Sequence, residues 1–205
     1  MTTPNGQAPL DYLNEIAPQA PKRAAFSFQL NFRNIIILAI VAIILVIILA
    51  NVANAINSAH KTPWEQLAAR LTFTATVADD ASTKIKSSQL RSLNSDLKLY
   101  LSNTQRDLAT PLGKVGVNAA KLPKSITTEE TDTAMTDRLE TARLNAKYDS
   151  GYAREMSYKL ATILSLLQEL SSRGGSSETQ AFLQNAYNNL KPTQQAIADF
   201  TDVNE

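Results

Sequence analysis

The sequence predicts an all-α protein, one N-terminal transmembrane helix followed by an up-down-up-down four-helix bundle with an extra short helix. Three observations predict it. Ile35 to Ala50 is a run of sixteen residues without a charge. Between Trp64 and Phe200, apolar residues recur every three or four positions in long stretches, the spacing of one helix face. Beyond the run, no alternation of period two competes with that spacing. The chain accordingly divides into a tail (1–33), a span (34–56) and a helical domain (61–205).

The candidate membrane-spanning residues are Ile35, Ile36, Ile37, Leu38, Ile40, Val41, Ile43, Ile44, Leu45, Val46, Ile47, Ile48 and Leu49, thirteen of the sixteen in the run. Each contributes about −0.3 to −0.6 kcal/mol near the bilayer centre, roughly −4 to −8 kcal/mol together. A helix rising about 1.5 Å per residue needs about 20 residues to cross about 30 Å of hydrocarbon. Asn51 to Ile56 extend the run with only two polar interruptions, both uncharged. A buried helix of a soluble core would keep a polar edge, and this run has none. The sharper rival is a cleaved signal peptide, because Ala53-Asn54-Ala55 has the small-x-small form of a cleavage site. The run is longer than the usual apolar region of about 7 to 15 residues, and the tail is long for a basic leader start. Both points favour an uncleaved signal-anchor.

Pro4, Pro9, Pro18 and Pro21, set among Gly, Ala, Gln and Asn, give the tail a composition that buries too little apolar surface to order itself. Phe26, Phe28, Leu30 and Phe32 read equally well as an interfacial anchor or as the start of the membrane helix. Lys22, Arg23 and Arg33 precede the span, and Lys61 and Arg70 are the nearest bases after it. The positive-inside bias then leaves the tail in the cytoplasm and the domain outside.

About 145 residues from Lys61 onward suffice for a real core. Three of the 20 Lys and Arg and two of the 19 Asp and Glu precede the span, leaving 17 of each in the domain. That balance argues against nucleic acid or an anionic surface as partner. With no cysteine, disulfides, thiol catalysis and thiolate metal sites are excluded, and no Asn-x-Ser/Thr sequon occurs, which fits a bacterial envelope protein.

Thr62-Pro63-Trp64-Glu65 has the form of a capped helix start, with Thr62 as cap, Pro63 at the first helical position and Glu65 reaching back. Only Asn57 to Lys61 would then separate the span from the first bundle helix, whose stripe is Trp64, Leu67, Leu71, Ala75, Ala78, Ser82 and Ile85. A second stripe, Leu90, Leu93, Leu97, Leu101 and Leu108, implies a helix from about Ser87 to about Ala109 that Pro111, Gly113 and Gly116 close. Val115 to Thr128 reads as a loop. Thr127-Thr128-Glu129-Glu130 reads as a capping box for a weaker helix with Met135, Leu139, Ala142 and Ala146. This leads into Tyr152, Met156, Leu160, Ile163, Leu167 and Leu170, ended by Arg173-Gly174-Gly175. Ser177-Glu178-Thr179-Gln180 caps the last helix, with Phe182, Ala186, Leu190, Thr193, Ile197 and Phe200, in which Pro192 is expected to kink or break the backbone. Helices with one apolar stripe each and mostly short connections pack as a bundle.

Three stretches resemble the ferritin-like extracytoplasmic helical bundles known as a domain of unknown function. They are Leu90 to Leu108 with its Gly116-Val117 and Leu122-Pro123 exit, Tyr148-Asp149-Ser150-Gly151-Tyr152-Ala153-Arg154-Glu155-Met156, and Gln180-Ala181-Phe182 through Leu190 and Ala196. The resemblance covers most of Trp64 to Phe200 and implies a ferritin-like bundle. That family tends to carry a histidine within several helices, where this chain has Asn103-Thr104, Tyr158-Lys159 and Pro192-Thr193. The resemblance therefore carries no metal or haem role into this chain.

A di-iron bundle needs glutamates from two helices and Glu-x-x-His from two more, but the single histidine, His60, sits at the membrane junction. Glu155 and Glu169 share a helix fourteen positions apart and read as solvated face residues. Asp79-Asp80 reads as helix surface and Glu129-Glu130 as a cap. A Ser-Lys nucleophile stays open, although Ser157 and Lys159, two apart, do not face each other on a helix. Gly174-Gly175 follows a helix and lacks the lysine of a phosphate loop. Tyr148, Tyr152 and Tyr158 read as core and core-edge residues or as an aromatic ligand cluster. Thr74, Thr76, Ser82, Thr104 and Thr193 read as hydrogen-bonded helix residues or as the lining of a small polar cavity.

The expected function is a non-enzymatic, single-pass envelope protein without cofactor or metal, anchored in the bilayer and presenting an interaction or scaffolding bundle to a protein partner. A ligand-binding sensor ectodomain working with a membrane partner is the alternative, and a secreted bundle released by cleavage the third.

Overall fold

The computed structural model describes the backbone of residues 32–201 and the side chains of 39–50 and 60–201. The expected tail, the Phe26–Leu30 anchor and the side chains of Ile35, Ile36, Ile37, Leu38 and the Ala53-Asn54-Ala55 site lie outside them. Helix α1 covers Phe32–Ala81, α2 Ser88–Lys114, a 3-10 turn Ala119–Lys121, α3 Lys124–Glu130, α4 Thr133–Leu144, α5 Tyr148–Ser172 and α6 Ser177–Ala198. The protein is all-α, and there is no strand among the described residues.

Met1–Ile48 and Leu49–Glu205 are two compact units. In the first, the described side chains belong to the apolar run and are exposed. The second holds the core. Leu67, Leu71 and Ala78 of α1, Leu90, Leu97, Leu101 and Leu108 of α2, Tyr152, Met156, Leu160 and Ile163 of α5, and Leu183, Leu190 and Ile197 of α6 meet in one cluster. These are largely the expected stripes, and burying each Leu or Ile contributes roughly 1.5–3 kcal/mol. Met135 and Leu139 bring α4 onto the same cluster, and α5 packs on both α4 and α6.

The ends of the helices differ from the local reading. No helix starts at Thr62, because α1 runs through residues 57–65 with Pro63 inside it. A proline removes one backbone bond and crowds the preceding turn, and here Pro63 is buried, so packing offsets the loss. Pro111 likewise lies within α2, which continues to Lys114. Pro192 does not break α6; it and Asn188, whose carbonyl loses the backbone donor a proline cannot supply, are both exposed, so water can serve that carbonyl. Part of the expected loop is helical, as the 3-10 turn and α3. Glu130 caps nothing and ends α3 as a buried residue. The cap of α4 is Asp132, which accepts the Met135 N–H at 2.8 Å. The chain breaks after α4, where Ala146 takes φ +59°, before α5 begins. Ser176, one position earlier than expected, caps α6 by accepting the Thr179 N–H at 3.2 Å.

Candidate functional site

Nine of the thirteen candidate membrane-spanning residues, Ile40, Val41, Ile43, Ile44, Leu45, Val46, Ile47, Ile48 and Leu49, have described side chains, each exposed by 50–64%. Among the described residues no helix is long and apolar enough to cross a membrane.

The tyrosines separate. Tyr148 and Tyr152 are buried and stacked, with ring centroids 6.2 Å apart, while Tyr158 is exposed. Burial pushes both buried phenols above the ordinary tyrosine range. Tyr152 donates to Asn94 Oδ1 at 2.5 Å, and Asn94 Nδ2 donates to the Ala78 carbonyl at 2.8 Å. The Tyr148 hydroxyl is buried without a partner. Thr74, Thr76 and Ser82 each bond the carbonyl four residues back in α1. Thr104 instead lines an open polar cleft between α2 and α6.

The acidic residues differ more. Asp79 pairs with Lys98, Asp80 with Lys84 and Glu169 with Arg173, each at 2.6 Å on the surface as expected. Glu155 is not a solvated face residue: it is buried because α4 lays Arg138 over it at 2.8 Å, with Arg154 at 3.2 Å. The Arg138 hydrogen bond holds its carboxyl below the usual glutamate range. Asp149 is buried in the first turn of α5 and accepts the backbone N–H groups of Lys86 at 3.0 Å and Ser87 at 2.6 Å, closing the α1–α2 connection from 62 residues away. Ser157 donates to the Arg154 carbonyl and makes no bond with Lys159.

Five charged residues, Arg70, Glu129, Glu130, Asp132 and Lys159, line a cleft of about 420 Å³ between α1, α5 and the α3–α4 connection. Arg70 grips Glu130 with two bonds of 2.7 Å and reaches the Thr162 carbonyl at 3.1 Å. Bidentate, charge-assisted pairs of this kind are the strongest of ordinary hydrogen bonds, and this one ties α3 onto the bundle. Beside it Lys159, only 7% exposed, places Nζ 4.9 Å over the Phe73 ring and 3.5 Å from the Glu130 carbonyl. Burial holds its ammonium below the ordinary lysine range; the charges of Asp132 and Glu130 act the other way and Arg70 reinforces burial.

Sequence reasoning missed Arg70, Asp132 and Lys159 as members of one site, yet a signal was present. Asp149, Tyr152, Met156, Lys159, Ile163, Leu166 and Leu170 follow spacings of three and four along α5. Two charged residues therefore sit in register on an apolar stripe, where a charge must find a partner or a purpose. Among the described residues no group of His, Cys, Asp and Glu is arranged to hold a metal ion. Comparison with models of known families, with curated proteins and with solved structures finds no match.

Proposed function

We propose that the chain is a single-pass membrane protein of the cell envelope, its N-terminus cytoplasmic, presenting a non-enzymatic helical bundle outside the membrane as an interaction or scaffolding module. We read the bundle as an up-down-up-down core of α1, α2, α5 and α6, ferritin-like in order, with α3 and α4 as its short additions. One observation carries the membrane reading: Ile40 to Leu49 expose nine large aliphatic side chains by half or more of their surface. Water-facing patches rarely exceed a few hundred Å² of contiguous apolar surface, whereas a bilayer accepts such a helix on every side. The balanced charge of the domain, with Asp79, Asp80 and Glu169 paired to neighbouring bases, supports a protein partner over nucleic acid.

The test uses the absence of cysteine. Single cysteines introduced as Ser165→Cys on α5 or as Thr3→Cys in the tail are labelled with a membrane-impermeant maleimide on intact cells, after alkaline carbonate extraction has established membrane residence. The expected result is retention in the carbonate pellet, labelling of Ser165→Cys and no labelling of Thr3→Cys. Release of the protein by carbonate, or a mature N-terminus just after Ala55, refutes the anchor. Purification in mild detergent with no stoichiometric co-purifying protein refutes the scaffolding role.

A further inference from the structure

The cleft beside α3 holds two opposite charges with bonding capacity left over. Lys159 has three N–H donors and makes one long bond, 3.5 Å to the Glu130 carbonyl, with no carboxylate at ion-pair distance among the described residues. The nearby Glu130 carboxylate has both oxygens taken by Arg70. Asp132 uses Oδ1 to cap α4 at 2.8 Å, and its second oxygen has no partner among the described residues. Both residues line the same cleft, together with the exposed ring of Tyr158. Ammonium and carboxylate are thus held in one concavity without satisfying each other.

We propose that this cleft binds a small zwitterion of the α-amino-acid class, its carboxylate on Lys159 Nζ and its ammonium on the free oxygen of Asp132. The charges select both halves. A simple anion would meet Lys159 but also the unspent charges of Asp132 and Glu129, which line the cleft together. A simple cation would meet the buried ammonium of Lys159. A molecule carrying both charges completes both residues at once, and a volume of about 420 Å³ accommodates one. Burying an ammonium with one weak bond and an aromatic face leaves most of its donor capacity unused, and a charge so held at the wall of a cleft is a candidate binding group. The proposal is independent of where the protein resides, so its failure and that of the membrane reading are separable.

The experiment titrates purified full-length protein with each common amino acid, and with acetate and ethylammonium as the two half-ligands, by calorimetry and thermal shift. At least one amino acid is expected to bind and raise Tm, while either half-ligand at equal concentration leaves Tm unchanged. Lys159→Met is expected to weaken binding at least tenfold and to raise the Tm of the unliganded protein, because the poorly satisfied ammonium is gone. Asp132→Asn keeps an oxygen for the Met135 N–H, so the cap survives while binding falls by a similar factor. Binding by no amino acid, or equal binding of acetate alone, overturns the proposal. So does an unliganded Lys159→Met that melts below the parent, which would assign the ammonium a purely structural role over Phe73.

Discussion

Removing the Tyr152 hydroxyl tests how the polar centre of the bundle is held. Ser82 N–H bonds to Asp79, so the Ala78 carbonyl at the end of α1 lacks its usual backbone donor. Two side chains donate to it instead, Ser82 Oγ at 3.1 Å and Asn94 Nδ2 of α2 at 2.8 Å, and Tyr152 of α5 fixes the Asn94 amide by donating to its oxygen at 2.5 Å. Tyr152 and Asn94 are buried, at 0% and 2% exposure, so water cannot substitute. Tyr152→Phe keeps the ring in place but leaves Asn94 Oδ1 without a donor. An orphaned buried acceptor costs about 1–3 kcal/mol, and at about 2–4 °C per kcal/mol for a domain of this size a loss near 2 kcal/mol lowers Tm by about 4–8 °C. Asn94→Leu is expected to cost a similar amount. The pair of changes together should cost about 1–2 kcal/mol less than the sum of the singles, since both ends of the bond become apolar. Urea denaturation with unchanged m-value, alongside calorimetry, measures each corner of the cycle. A Tyr152→Phe protein within about 0.5 kcal/mol of the parent, or a cycle additive to within about 0.3–0.5 kcal/mol, refutes the reasoning.

Two further predictions concern the packing of α4 on α5. A Cβ at Gly151 would lie 2.6 Å from Ala142 Cβ, so Gly151→Ala should destabilise by about 1–3 kcal/mol despite the better helix propensity of alanine. Ala142→Gly in the same chain should recover most of that loss, and a melting curve in which Gly151→Ala alone is unchanged or more stable would show that the helices part at no cost. Glu155, whose carboxyl Arg138 holds below its ordinary range, contributes stability that is present above about pH 4.3 and is lost as pH falls through its folded value. The difference in urea midpoint between the parent and Glu155→Gln should therefore be constant near neutrality and shrink in acid; a difference independent of pH would show that the carboxylate charge is not what holds α4.

Periodicity made the helices legible, and long-range polar partners kept their ends from being so. Leu90, Leu97, Leu101 and Leu108 are buried as their spacing predicts, because a stripe is a property of one segment alone. Thr127-Thr128-Glu129-Glu130 has every local mark of a capping box, yet Glu130 belongs to Arg70, sixty residues earlier. Asp149 lies in the first turn of α5, and its further role, accepting the backbone N–H groups of Lys86 and Ser87 just ahead of α2, is set by a partner 62 residues away. Prolines misled in the same way: Pro63 reads locally as a helix start and Pro111 and Pro192 as stops, but each lies within a helix. A stop signal competes with burial elsewhere on the helix, which no window of neighbouring residues contains.

Two buried charges on one stripe of α5 differ in what they are bonded to. Asp149 and Lys159 lie on the same apolar stripe of α5 and are about equally removed from water, at 5% and 7% exposure. Asp149 spends its carboxylate on backbone donors that would otherwise be orphaned, so its burial stabilises the fold. Arg70 and Glu130 spend their charges on each other. Lys159 has only a long bond and an aromatic face, which is a poor return for desolvating an ammonium when leucine at that position would extend the stripe. Local rules agree with the global fold at most positions of this bundle, and a rule broken without a structural gain marks the cleft beside α3 as the place where a ligand would supply the missing partner.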